Sequence, residues 1–204
     1  MDTLPTHPAG EPTPPDWGHL AAGILRGDGE LLGRWYELEW PTVYRLCFGL
    51  LADHAEAEDC AQDAMLRLRN RIASWDSTRA YEPWRRSVVL NLCRDHGRRQ
   101  RARRDAEQAG AIRRTATHGE DPAANAELED DARMLATALS QLPEREREAF
   151  VLRDLEEETT ENVARIMGIA ASSVRSLLAL ARRRLRHLLE PALGTEGDER
   201  EAAR

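Results

Sequence analysis

Residues 105–131 carry eight acids against two arginines, together with Gly110, Gly119, Pro122 and many alanines. Such a stretch cannot bury enough apolar surface to offset the entropy of ordering it, so it reads as a flexible acidic linker of net charge −6. A break of this kind in 204 residues leaves room for two small units rather than one large core. On both sides of it apolar residues recur at helical spacing, and strand signals are absent. The expected fold class is all-α: two small helical domains joined by that linker. The boundaries predicted are a disordered Pro-rich tail over 1–15, a first domain over 16–104, the linker over 105–130, a second domain over 131–190 and a polar, frayed tail over 191–204.

Within the first unit, Leu20 to Leu51 is helical in pattern, with Pro41 either starting a new helix or kinking a continuous one. Asp53 can cap the next helix, which runs to about Ser74 with Cys60, Ala64, Leu66 and Leu68 as its apolar residues. Trp75–Glu82 is loop-like, and Pro83 suits a first helical position. From Trp84 to Arg104 the chain holds eight arginines (85, 86, 94, 98, 99, 101, 103 and 104) against one acid, Asp95, in a protein of net charge −7. Positive charge so concentrated in an acidic chain is the footprint of a nucleic-acid-binding surface. Trp84, Val88 and Leu92 keep the same helix anchored to a core. All 29 basic residues are arginine, the side chain whose planar fork suits phosphate and guanine.

Other classes find little support. Cys47, Cys60 and Cys93 are widely separated and flanked by apolar residues, so they read as buried reduced thiols; no metal or other cofactor is expected. His54 and Glu58 lie one helical turn apart beside Asp59, but no second ligand cluster, HExxH motif, Gly-rich phosphate loop or Ser/His/Asp set accompanies them. A catalytic role is not expected. With no signal peptide and no run of about 18 apolar residues, the chain is expected to be soluble and cytoplasmic, without membrane insertion.

The second unit has breaks at Leu142-Pro143, Glu157–Thr159 and Gly168. Ala164, Gly168 and Val174 have the spacing of a helix-turn-helix: a small residue at the crossing, a glycine for the turn and a branched residue locking the second helix. Val163, Met167 and Ile169 fill the apolar positions. Thr159 or Thr160 can cap the first helix and Ser172 the second. Ser172, Ser173, Arg175 and Ser176 would then stand where a recognition helix meets base edges. Arg182, Arg183, Arg184 and Arg186 would lie beside phosphates.

The two modules together resemble the extracytoplasmic-function group of bacterial RNA polymerase sigma factors. Residues 31–104 resemble region 2 of that family, with its AED-x-x-QD signature at Ala57, Glu58, Asp59, Gln62 and Asp63. The pattern W-x-x-x-(I/V)-x-x-N-x-x-x-D-x-x-R-R falls on Trp84, Val88, Asn91, Asp95, Arg98 and Arg99. Residues 131–189 resemble region 4, with Leu142, Pro143, Arg147 and Phe150 in the family's L-P-x-x-x-R-x-x-(F/V).

The resemblance implies partners and roles. Asp59, Gln62 and Asp63 would bind the β′ coiled coil of core RNA polymerase, and the β flap would be a second contact. Asp76, Ser77, Trp84, Asn91, Arg94, Arg98 and Arg99 would engage the melted −10 strand of promoter DNA, held by stacking and edge hydrogen bonds. Ser172, Ser173, Arg175, Ser176 and Arg182 would read the −35 element, and an anti-sigma factor is a further implied partner. A stand-alone helix-turn-helix regulator is the alternative. Three positions depart from the family. Leu177 and Leu180 replace usual arginines; either −35 contacts are thinner, with a salt dependence lower by about two in slope, or these leucines pack against a partner. Asn162 replaces a usual glutamate and weakens a capping box. Glu156, Glu157 and Glu158 are unusually acidic beside a DNA face.

Overall fold

The computed structural model describes residues 15–111 and 130–202. The first module comprises α1 (Trp17–Leu25), α2 (Gly29–Leu51), α3 (His54–Arg71) with a following 3-10 turn (Ile72–Ser74), and α4 (Tyr81–Ala111). The second comprises α5 (Asp130–Ser140), α6 (Glu144–Phe150) running into a π turn (Val151–Leu155), α7 (Thr160–Met167) and α8 (Ala171–Ala202). No strand occurs among the described residues.

The first break lies upstream of Pro41. α2 passes through that proline unbroken, while Gly27 takes a left-handed φ of +79°. Asp28 then caps α2, its carboxylate accepting from the N–H groups of Glu30 and Leu31 at 3.0 and 3.1 Å. A Cβ on Gly23 would clash with the Leu31 side chain, so only glycine allows α1 to fold so closely onto α2. Asp53 caps α3 as expected, accepting from the Glu56 N–H at 2.9 Å. Leu66 is not a core residue: it is 58% exposed, on the solvent face of α3.

α4 begins at Tyr81 rather than Pro83, and the proline sits in the first turn, where no intrahelical N–H bond is lost. Tyr81 sets this start. It is buried, its hydroxyl accepts from Trp35 Nε1 at 3.1 Å, and its ring stacks on Trp17 at 4.6 Å. Trp75 and Trp84 close the cluster at 5.1 and 5.4 Å from it. α4 then continues to Ala111, past the expected linker boundary, and α8 continues past Pro191, where a frayed tail was expected. The rest of the acidic linker (112–129) and the Pro-rich tail (1–14) lie outside the described residues.

In the second module Thr159 caps α7, accepting from the Asn162 N–H at 3.2 Å. Gly168 takes the left-handed turn at φ +68°. α7 and α8 meet at 101°, a helix-turn-helix angle. Val174 is fully buried at the crossing. α8 begins at Ala171, one residue before the expected cap, so Ser172 lies in its first turn.

The two modules pack on one another around a continuous core. Gly49 of α2 lets the chain at Val151 approach; a Cβ there would sit 3.1 Å from Val151 Cγ1. Nothing in the sequence pattern announces this seam.

Candidate polymerase and promoter interface

Helix α3 presents Asp59, Gln62 and Asp63 as an exposed stripe at i, i+3 and i+4, with Ala57, Cys60, Ala61 and Ala64 buried on the opposite side. Leu66 extends the stripe by one turn. An exposed leucine beside two acids is a feature that composition alone hides, because Leu66 reads as one more apolar residue. Its spacing of seven from Asp59 is the signal that would have placed it.

Helix α4 divides its residues between two faces. Arg86, Arg94 and Arg101 turn toward the second module; Asn91 and Arg98 are exposed about a quarter-turn away around the helix, and Trp84, seven residues before Asn91, is half-buried against the core. The inward arginines are all engaged. Arg94 binds Glu148 with two parallel bonds, Nε to Oε1 at 2.6 Å and Nη2 to Oε2 at 2.8 Å. Arg86 donates to Glu156 Oε2 at 3.1 Å, to Glu158 Oε1 at 2.5 Å and to the Glu156 carbonyl at 3.1 Å. Arg101 reaches Glu144 at 2.9 Å. These pairs raise the pKa of Arg94 and Arg101 further, chiefly through the hydrogen bonds to Glu148 and Glu144.

Two of the departures from the family pattern, Asn162 and the Glu156–Glu158 run, belong to this seam. Glu157 has a left-handed φ of +55°, and the bend turns its two neighbours, Glu156 and Glu158, inward while Glu157 stays exposed. Asn162 Nδ2 donates to Glu158 Oε2 at 2.7 Å, so the residue that fails to complete a capping box instead holds a carboxylate aimed at Arg86.

The remaining predicted residues divide as follows. Asn91, Arg98 and Arg99 are exposed, with Arg98 paired to Asp95 on the surface. Asp76 and Ser77 are exposed in the loop before α4. The Asp76 carboxylate accepts from the N–H and hydroxyl of Thr78 at 3.0 and 2.7 Å, and these bonds hold it below its ordinary pKa. That side chain shapes its own turn. Arg85 is buried on Glu39 at 3.1 Å, although it belongs to the basic run; burial pushes the Glu39 carboxyl up, with Arg85 opposing.

On α8, Ser172, Ser173, Arg175 and Ser176 are exposed along the outer side of the helix-turn-helix. Arg182 forms a two-pronged pair with Asp154 at 2.8 and 2.6 Å. Leu177 is partly buried against the core, whereas Leu180 is exposed.

Residues 35–103 match Sigma-70 region 2, and residues 132–185 match Sigma-70, region 4. The ECF RNA polymerase sigma factor SigE of Mycolicibacterium smegmatis is 30% identical over 189 residues, covering 89% of this chain and 70% of its own. The chain belongs to the extracytoplasmic-function sigma factors. Such a factor directs promoter-specific initiation of transcription by RNA polymerase. The probable RNA polymerase sigma factor RfaY of Xanthomonas campestris pv. campestris is 31% identical over 173 residues, 84% of this chain; the match spans 42% of that longer protein. The fold is that of RpoE from Bartonella quintana, solved with the anti-sigma factor NepR: TM-score 0.62, 24% identity, 78% of this chain and 96% of that one. In this sigma factor, then, the α3 stripe and most of α4 fall within region 2, and the acids that hold Arg86 and Arg94 fall within region 4.

Proposed function

We propose that this sigma factor contacts the β′ coiled coil of core polymerase through Asp59, Gln62 and Asp63, with Leu66 as the apolar centre of that patch. Acids around one leucine suit a basic helical partner, with charge guiding encounter and the leucine supplying burial. The outward face of α4, Trp84, Asn91 and Arg98, with Arg99 and the Asp76–Ser77 turn beside it, takes the opened −10 strand. The observation that carries this reading is the two-faced division of α4. It leaves Asn91, Arg98 and Arg99 exposed on the helix that follows the turn held in shape by Asp76, with Trp84 half-buried in an aromatic cluster.

Ser172, Ser173, Arg175 and Ser176 read the −35 element, with Arg182 exchanging Asp154 for a phosphate. Arg94 belongs to promoter binding only after it leaves Glu148, so engagement requires the two regions to separate. The β flap is the expected contact for region 4. An anti-sigma factor of the kind seen with the B. quintana protein is a further expected partner. The protein acts in the cytoplasm, beside polymerase and promoter, and catalyses no reaction itself. No single helix among the described residues is long and apolar enough to cross a membrane.

The test is run-off transcription with purified core polymerase on genomic promoters. Asn91→Ala is expected to block strand opening, read by permanganate reactivity, while core binding survives. Asp63→Arg is expected to lose core binding first. Unchanged transcription with both variants would refute these roles.

A further inference from the structure

The three cysteines, 13 and 33 residues apart in sequence, converge in the core of region 2, one each from α2, α3 and α4. Cys60 Sγ lies 3.5 Å from Cys93 Sγ, and Cys93 Sγ lies 3.9 Å from Cys47 Sγ. All three sulfurs fall within 4.8 Å of one another, all three residues are buried, and none is in a disulfide. Three small apolar side chains at a helix junction would explain the burial. It would not by itself bring three sulfur atoms to one point.

We propose that Cys47, Cys60 and Cys93 form a three-sulfur binding site for a thiophilic monovalent metal ion of the copper(I) class. Three thiolates around one ion at about 2.3 Å stand about 4 Å apart when the ion is in their plane, so the sulfurs need shift only by tenths of an ångström. Low coordination suits the soft monovalent ion, and thiolate donors select it. On binding, the ion takes the place of the thiol protons, which pass to solvent.

An entry route is present. A cavity of about 520 Å³ between the two regions is lined by Leu50, Cys93, His96, Gln100, Glu144 and Glu148, and so reaches one ligand directly. His96 at its wall is paired with Glu56. The position matters for function: Cys60 follows Asp59 on the polymerase-facing helix, and Cys93 lies between Asn91 and Arg94 on the promoter-facing one. An ion here would join α2, α3 and α4 and stiffen both surfaces together. The site itself does not depend on the residue roles proposed above.

The test is anaerobic titration of the full-length protein with copper(I) against a competing chelator, with X-ray absorption to identify the donor atoms. One ion per chain with three sulfur donors is expected, with a rise in thermal midpoint. Cys60→Ala and Cys93→Ala should each weaken uptake by more than about a hundredfold, beyond the effect of losing a supporting group. Should either variant fold poorly by circular dichroism, alkylation of the wild-type protein in mild denaturant decides: copper(I) must protect all three thiols. The proposal is overturned if wild-type protein holds no more copper(I) than the triple alanine variant, or if protection fails. Preferential zinc uptake with the same cysteine dependence would overturn the three-coordinate assignment.

Discussion

Arg94 of region 2 and Glu148 of region 4 form a two-pronged pair at 2.6 and 2.8 Å, with the carboxylate almost wholly buried. The same guanidinium is one of those expected to grip promoter backbone. On the proposed reading, a carboxylate stands where a phosphate would, and the charge assigned to DNA also closes the molecule. Glu148→Gln keeps the shape and removes the charge. It is expected to cost about 2 kcal/mol of stability, typical of a hydrogen bond to a charged group, and to increase the mean separation of the two regions. Urea unfolding and small-angle scattering would measure the two effects; unchanged scattering would argue against the pair as a clasp.

Not every arginine of the basic run should behave alike. Arg85→Ala strands Glu39 in the core, and breaking a buried pair in this way costs about 3–5 kcal/mol. Arg98→Ala touches only an exposed pair with Asp95 and should leave stability almost unchanged, while lowering the salt slope of promoter binding by the holoenzyme by about one. Denaturant midpoints and salt titrations of the two variants should separate cleanly; equal stability losses would contradict this division.

Gly49→Ala tests the apolar part of the seam. The new methyl would meet Val151 at 3.1 and 3.3 Å, tight enough that one side must give. A loss of about 1–3 kcal/mol is expected, and Val151→Ala in the same chain should recover part of it. Failure of the second change to compensate would place the strain elsewhere.

Acidification should release the Arg101–Glu144 pair. The hydrogen bond from Arg101 is the main reason that the Glu144 carboxyl is held below its ordinary value of 4.5. A lowered folded-state pKa contributes stability that is present above 4.5 and lost as pH falls through the lower, folded value. Arg101→Ala should therefore flatten part of the acid limb of stability, measured between wild type and variant across that range. An unchanged acid limb would remove Glu144 from the clasp.

Most of the helical segments, the Asp53 cap, a threonine cap at 159 or 160 and the Gly168 turn were readable in order along the chain, although the break before Asp28 and the helix start at Tyr81 were not. Each depends on contacts within a few residues, where spacing and cap chemistry decide. The exposed stripe at Asp59, Gln62 and Asp63 was readable for the same reason. Leu66 was grouped with Cys60, Ala64 and Leu68 by its apolar character, although its spacing sets it with Asp59 on the exposed side of α3. Tyr81 was hidden in a loop-like stretch because its role depends on Trp17 and Trp35, which precede it by 64 and 46 residues.

What the sequence determined by itself is a two-module helical chain of the sigma family, with acids on one helix and arginines on another. Only the tertiary structure decided how those arginines are spent: one in the core on Glu39, three across the seam on Glu148, Glu156, Glu158 and Glu144, and others left exposed. The physical reason is that charge along a sequence is a total, whereas each guanidinium acts only over the few ångströms that folding assigns to it.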